Sequence, residues 1–216
     1  MIKKGLIVSC QAETGSAFND VHSIQSFALE AERGGAVGLR IRERENVIGV
    51  SQVCKLPIIG LTKSEYKNGD VFITPSWNHA KDLVNSGASY VAMDATGRGS
   101  YYDIELASTG EIGTIIGDIS HINQAEEALK SGCKILTTAL SGYTSDCKVD
   151  MNRPDYVLLY ELVKNFPNIP IMAEGRYWEY DEVERAFDIG AHNVVVGTAI
   201  TRPHLITKRL MEAFNE

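Results

Sequence analysis

The chain has 216 residues, of which 44% are hydrophobic and 23% charged, and carries a formal net charge of -7 at pH 7. That is the composition of a globular protein with room for one domain and a sizeable core. The acidic balance disfavours nucleic acid or an anionic membrane surface as the main partner, and no apolar run approaches the roughly 20 residues of a membrane helix.

The first apolar run, "GLIVSCQA" (5–12), follows two lysines, as a secretory leader would. It is short and gives way to polar "QAETGS", so it reads as a first core strand of a cytoplasmic protein. Seven further runs follow: "VGLRI", "LPIIGLTK", "YVAMDAT", "GTIIGDIS", "KILTTAL", "IPIMAEG" and "NVVVGTA". None alternates cleanly between apolar and polar residues, the pattern of strands buried on both faces of a parallel sheet. Amphipathic stretches such as "INQAEEALKSG" and "DEVERAFDIG" lie between them and read as helices. Four junctions, "GGAVGLRI", "SGASYVAMD", "SGCKILTT" and "IGAHNVVVG", place a Gly and a small residue just before the second, fourth, sixth and eighth runs. A Gly there ends a helix in the left-handed conformation and turns the chain into the next strand. Eight βα units with this alternation predict an α/β fold, a single (β/α)8 barrel spanning residues 1–216, over an open doubly wound sheet. The irregular stretch 141–155, "SGYTSDCKVDMNRPD", should lie over the barrel mouth.

Active sites of such barrels use the C-terminal ends of the strands. Those ends carry Gln11, Arg40 with Arg42, Lys63, Asp94, Asp118, Thr137 with Thr138, Glu174 with Arg176, and Gly197 with Thr198. Asp94 and Asp118 could equally cap the following loops, Arg42 fits a solvated helix start, and Thr137 and Thr138 could be ordinary barrel residues. The final segments "AEGR" and "GTAITRP" suit a phosphate site: Gly175 and Gly197 let backbone N–H groups approach closely, and Thr198 and Arg202 add donors. The third and seventh runs stand opposite each other in an eight-stranded barrel, so Lys63 and Glu174 should face across the mouth. A Lys and a Glu on either side of a substrate can remove a proton from one face of a carbon and return it to the other. The five histidines are scattered without ligand spacing, and Cys10, Cys54, Cys133 and Cys147 form no CxxC pair, so neither a metal site nor a disulfide framework is expected.

The segments "GLIVSCQA", "GLRI", "PIIGLTKSEY", "VFITPS", "MDATGR", "GDIS", "TTALSGYT", "AEGR" and "VVVGTAITRP", in this order, resemble the N-acetylmannosamine-6-phosphate 2-epimerases of bacterial sialic acid catabolism. The resemblance implies interconversion of N-acetylmannosamine 6-phosphate and N-acetylglucosamine 6-phosphate by proton transfer at C2, without metal or organic cofactor, in a homodimer. It implies Lys63 and Glu174 as the proton-transfer pair, with Gln11, Arg40 and Asp118 orienting the sugar and Arg40 stabilising the enediolate oxygen. Gly175, Arg176, Gly197, Thr198 and Arg202 would hold the phosphate. Three mouth loops, "QAETGSAFND", "TGRGSYYD" and "EGRYWEYDE", depart from the family pattern and bear on substrate preference. Two other chemistries fit the same residues: a lyase or aldolase forming a Schiff base at Lys63, and a phosphosugar-binding barrel without catalysis.

Overall fold

The computed structural model describes residues 1–65, 71–99, 101–109 and 113–214. Tyr66 of "GLTKSEY" and Ser100 of "TGRGSYYD" lie outside the described residues. Among the described residues ten strands run in chain order as β1 (Gly5–Cys10), β2 (Gly38–Arg42), β3 (Ile58–Leu61), β4 (Lys63–Glu65), β5 (Val71–Ile73), β6 (Tyr90–Asp94), β7 (Thr114–Asp118), β8 (Ile135–Thr137), β9 (Ile171–Glu174) and β10 (Asn193–Val196). Eight of them close into a parallel barrel in the order β1-β10-β9-β8-β7-β6-β3-β2. These eight are the eight runs of the sequence. Pairing of β1 with both β2 and β10 rules out the open sheet. The other two, β4 and β5, form an antiparallel hairpin outside the barrel that the sequence pattern did not predict.

The helices between the strands are α1 (Val21–Arg33), α2 (Arg44–Val53), α3 (Trp77–Asn85), α4 (Tyr101–Thr109), α5 (Ala125–Lys130), α6 (Tyr156–Asn165) and α7 (Tyr180–Ile189), and α8 (Thr198–Thr201) and α9 (Pro203–Met211) follow β10. At the four repeated junctions Gly35, Gly87, Gly132 and Gly190 have φ between 90° and 117°, the left-handed geometry that a side chain would strain. Helix α7 starts with a capping box, in which Glu182 accepts the N–H groups of Trp178 and Glu179 at 2.6 and 3.1 Å.

Side chains alternate between two apolar layers. Ile7, Ile59, Leu61, Ala92, Ile116, Ile135, Met172 and Val195 fill the barrel interior. Their neighbours Val8, Ile58, Val91, Ile115, Leu136, Ile171, Ala173, Val194 and Val196 join the larger core beneath the helices. Both faces are therefore apolar, as buried parallel strands require.

Helix α9 differs from the rest. Helices α1 to α8 each bury at least one residue, whereas α9 buries none. Its described tether to the barrel includes Arg209, which pairs with Glu179 at 2.9 Å and lies over the Trp178 ring.

Candidate active site

Along a strand, side chains two residues apart share a face. Two steps beyond the apolar interior layer therefore bring polar groups onto the inward face: Ile116 leads to Asp118, Met172 to Glu174, Val195 to Gly197, and Ile7 through Ser9 to Gln11. Glu174 follows a buried strand because it is the next inward residue, where the barrel opens. All ten residues to which the sequence gave a catalytic or binding role, Gln11, Arg40, Lys63, Asp118, Glu174, Gly175, Arg176, Gly197, Thr198 and Arg202, line one cavity of about 420 Å³, whereas Arg42, Asp94, Thr137 and Thr138 do not line it.

Its floor is an ion-pair cluster. Asp118 has no exposed surface and Arg40 only 2%. An unpaired charge at either place would cost several kcal/mol. They satisfy one another: Arg40 Nη1 donates to Asp118 Oδ1 at 3.2 Å, and Nη2 makes a shorter bond to Oδ2. Arg40 Nη1 also lies 2.9 Å from Glu174 Oε2, an ion pair without hydrogen-bond geometry. Asp118 is thus the partner of Arg40 and not a loop cap. Asp94 does cap its loop, accepting from Thr96 N and Oγ1 and pairing with Arg98 at 2.6 Å.

This environment moves both candidate proton carriers toward neutrality. Burial pushes the Glu174 carboxyl up to about 7, against the opposing pull of Arg40. Burial and then the Arg40 charge lower the Lys63 ammonium to about 8. Asp118 is likewise raised by burial, with Arg40 opposing. Burial alone would lower Arg40, but the two carboxylates hold it above its ordinary value.

Lys63 does not end a barrel strand as the sequence suggested. Strand β3 stops at Leu61, and Lys63 opens the hairpin strand β4. Thr62 N–H donates to Thr74 Oγ1 at 3.1 Å and Thr74 N–H returns to Thr62 O at 3.0 Å, closing the hairpin base. Glu43 Oε1 accepts from Arg42 Nε at 2.8 Å and from Lys63 N at 3.4 Å. Arg42 is accordingly not a solvated helix start: its side chain is 29% exposed and its charge helps to lower Lys63. The hairpin leans on the divergent "TGRGSYYD" loop, since a Cβ at Gly99 would collide with the Phe72 ring.

At the opposite end, Gly175 and Arg176 take φ of 109° and 65°, turning the chain away after β9. The Arg176 guanidinium is held in part by the neighbouring loop, while its Nη2 is buried with no hydrogen-bond partner among the described residues. Nε donates to Arg153 O and Nη1 to Ser141 O, each at 2.7 Å, which pins the 141–155 loop over the mouth. Helix α8 starts at Thr198 with Gly197 as N-cap, and the leading N–H groups of a helix have no partner within it. Thr201 Oγ1 donates to Ser9 O at 3.1 Å and ties α8 to β1. Arg202 pairs with Glu13 of the divergent "QAETGSAFND" loop at 2.6 Å.

Four further residues, to which the sequence assigned no role, bear on the site. Tyr143, Tyr177 and Trp178 line the cavity from the mouth loops. Thr138, named among the strand ends but given no role, bonds both the N–H and the C=O of Glu174. A threonine pair at a strand end carries no pattern that would have singled it out.

Residues 24–216 match the family model described as "NanE: Putative N-acetylmannosamine-6-phosphate epimerase". A relative from Caldanaerobacter subterraneus subsp. tengcongensis, named "Putative N-acetylmannosamine-6-phosphate 2-epimerase", is 37% identical across 100% of this chain and 93% of its own. A relative of the same name from Clostridioides difficile is 36% identical across 98% and 96%. The solved N-acetylmannosamine-6-phosphate 2-epimerase from Clostridium perfringens superposes with a TM-score of 0.92 at 35% identity, covering 98% of this chain and 94% of that one. With its barrel and nearly its whole length accounted for in this way, the chain belongs to the N-acetylmannosamine-6-phosphate epimerase family.

Proposed function

We propose that the protein is an isomerase that interconverts N-acetylmannosamine 6-phosphate and N-acetylglucosamine 6-phosphate by removing and returning the proton at C2. The observation that carries this reading is the pairing of Lys63, lowered to about 8, with Glu174, raised to about 7, on one cavity. Groups poised near neutral pH exchange protons with carbon most effectively. In the open-chain sugar, one of the pair takes the C2 proton and the C–H electrons move onto the C1 oxygen. The other delivers a proton to the opposite face, and the electrons return to C2.

Arg40 holds Glu174 in place and offers Nε, buried with no partner among the described residues, to the developing oxyanion. Gln11 Oε1, also buried without a partner among the described residues, offers an acceptor to the acetamido N–H. Gly175, Gly197, Thr198 and Arg202 form the phosphate end, where backbone N–H groups and a cation suit a dianion. Arg176 serves that end through its backbone turn and through Nη2, buried without a partner among the described residues, while Nε and Nη1 hold the loop. This chemistry calls for no metal or organic cofactor. A Schiff base at Lys63 would leave Glu174 without a task, and a pure binding barrel would leave the tuning of both groups without one.

Incubation with N-acetylmannosamine 6-phosphate in deuterated water, followed by proton NMR, tests the reading. N-acetylglucosamine 6-phosphate with deuterium at C2 is the expected product. An unchanged sugar, bound by folded protein, would overturn it.

We also place the protein in the cytoplasm, in amino sugar and sialic acid catabolism, as a homodimer with no nucleic-acid or membrane partner. Among the described residues no helix is long and apolar enough to cross a membrane. The unburied helix α9, with Leu210, Met211 and Phe214 exposed at the chain end, supports the dimer. Sedimentation velocity should give twice the chain mass of 23.7 kDa, and Leu210→Glu should shift it toward the monomer. A monomeric wild type would refute the assignment.

A further inference from the structure

We infer that Thr138 is the positioning residue for Glu174: its single hydroxyl fixes the strand end from which the carboxylate reaches the reacting carbon. The inference rests on the proposed acid role of Glu174.

Strand β8 is short, and its last registered pair with β9 is Thr137 with Met172. Glu174 lies two residues beyond that pair, so on this flank the parallel ladder has ended before it reaches the acid. Successive residues of a strand turn their main-chain groups to opposite sides, and those of Glu174 face the β8 side. There the Thr138 hydroxyl meets both of them. Oγ1 accepts from Glu174 N at 2.9 Å and donates to Glu174 O at 2.8 Å. Thr138 N–H adds a bond to Met172 O at 3.2 Å. Thr138 is itself only 3% exposed, so water is poorly placed to take over.

A hydroxyl is one of few side-chain groups that can donate and accept at once over so short a reach. Valine has the same shape and neither capacity. It would leave a buried N–H and a buried C=O unpaired at the residue bearing the acid, and β9 would relax there. The carboxylate would then move relative to Arg40, its fixed partner at 2.9 Å. Misplacement of a catalytic group by about 1 Å can cost roughly 100-fold in rate.

The test compares Thr138→Val, Thr138→Ser and Glu174→Gln in steady-state kinetics across pH, with folding checked by circular dichroism. T138V should lower kcat by roughly 10- to 100-fold with KM nearly unchanged. The acidic limb of its pH profile should move upward as Arg40 loses its hold on the carboxylate. T138S, which keeps the hydroxyl, should restore both rate and limb. If T138V does not fold, Thr138→Cys, a poorer donor and acceptor of similar size, takes its place with the same expectation. A T138V enzyme with more than half of wild-type kcat and an unmoved limb overturns the inference, as does a T138S enzyme as impaired as T138V. The Glu174→Gln control separates the two levels. An inactive E174Q beside an unaffected T138V overturns the Thr138 role alone, whereas a fully active E174Q overturns the acid assignment and the inference with it.

Discussion

Lys63→Met and Glu174→Gln should each lower turnover by roughly 10²- to 10⁴-fold, the range for loss of a positioned acid or base. Binding of the phosphosugar, measured by calorimetry, should change little, because neither side chain belongs to the phosphate end. The pH profile carries the sharper signature. In one direction the reaction requires Lys63 neutral and Glu174 protonated, and in the other Lys63 charged and Glu174 ionised. Both combinations are limited by the same two groups, at about 7 and about 8. Both directions should therefore follow one bell with its maximum near pH 7.5, about midway between the two. In the direction that uses charged Lys63 and ionised Glu174, the residual activity of E174Q should lack the acidic limb and that of K63M the alkaline limb; in the other direction the two losses are exchanged. Near-full activity in both variants would remove the assignment.

The second large effect concerns Arg40. Arg40→Met should abolish detectable turnover and destabilise the fold by about 3–5 kcal/mol, the cost of breaking a buried ion pair from one side. Asp118, with no exposed surface, would keep its burial and lose its cation. Glu174 would lose its only ion-pair partner among the described residues. The sign of the pH dependence follows. Without Arg40 the folded-state pKa values of both carboxyls rise further above their unfolded values, so the folded variant binds protons that the unfolded chain does not. The variant's stability is then greatest at low pH and declines as pH rises from the unfolded carboxylate range through the raised folded values. Urea unfolding should show the deficit against wild type widening from pH 5 to pH 8. An equal deficit at both pH values would mean that Asp118 does not depend on Arg40.

The barrel was legible because its eight strands carry apolar runs on both faces and its repeated glycines sit where helices must turn left-handed. Lys63 and Glu174 were legible because a charge directly after a buried run demands an explanation. The hairpin that carries Lys63 was not. Its two strands span three residues each, too few for a periodic signal, and "LPIIGLTK" reads as one continuous strand. Arg176 was assigned to phosphate by its neighbours in sequence, but that Nε and Nη1 also hold carbonyl groups of residues 153 and 141 could not be read there, because only the folded loop creates that pairing. Thr138 was visible as a polar strand end but its role was not, for the related reason that its bonds span 36 residues to a main chain, and main-chain groups carry no sequence signature.

The closeness of the two proton carriers has a consequence for the catalytic cycle. Each turnover shifts one proton: a Lys63 that has accepted becomes charged, and a Glu174 that has donated becomes ionised. The enzyme that releases product is therefore a proton isomer of the enzyme that bound substrate. With Lys63 lowered and Glu174 raised toward one another, the two isomers lie close in free energy. Neither form is scarce, so both epimers find a competent enzyme. Conversion between them must pass through water at the open mouth, because Arg40, the cation touching Glu174, holds its protons too firmly to relay one. At saturating sugar this return step, and not the chemistry at carbon, becomes a candidate limit on the rate, and product would then inhibit by capturing the isomer that has yet to reset.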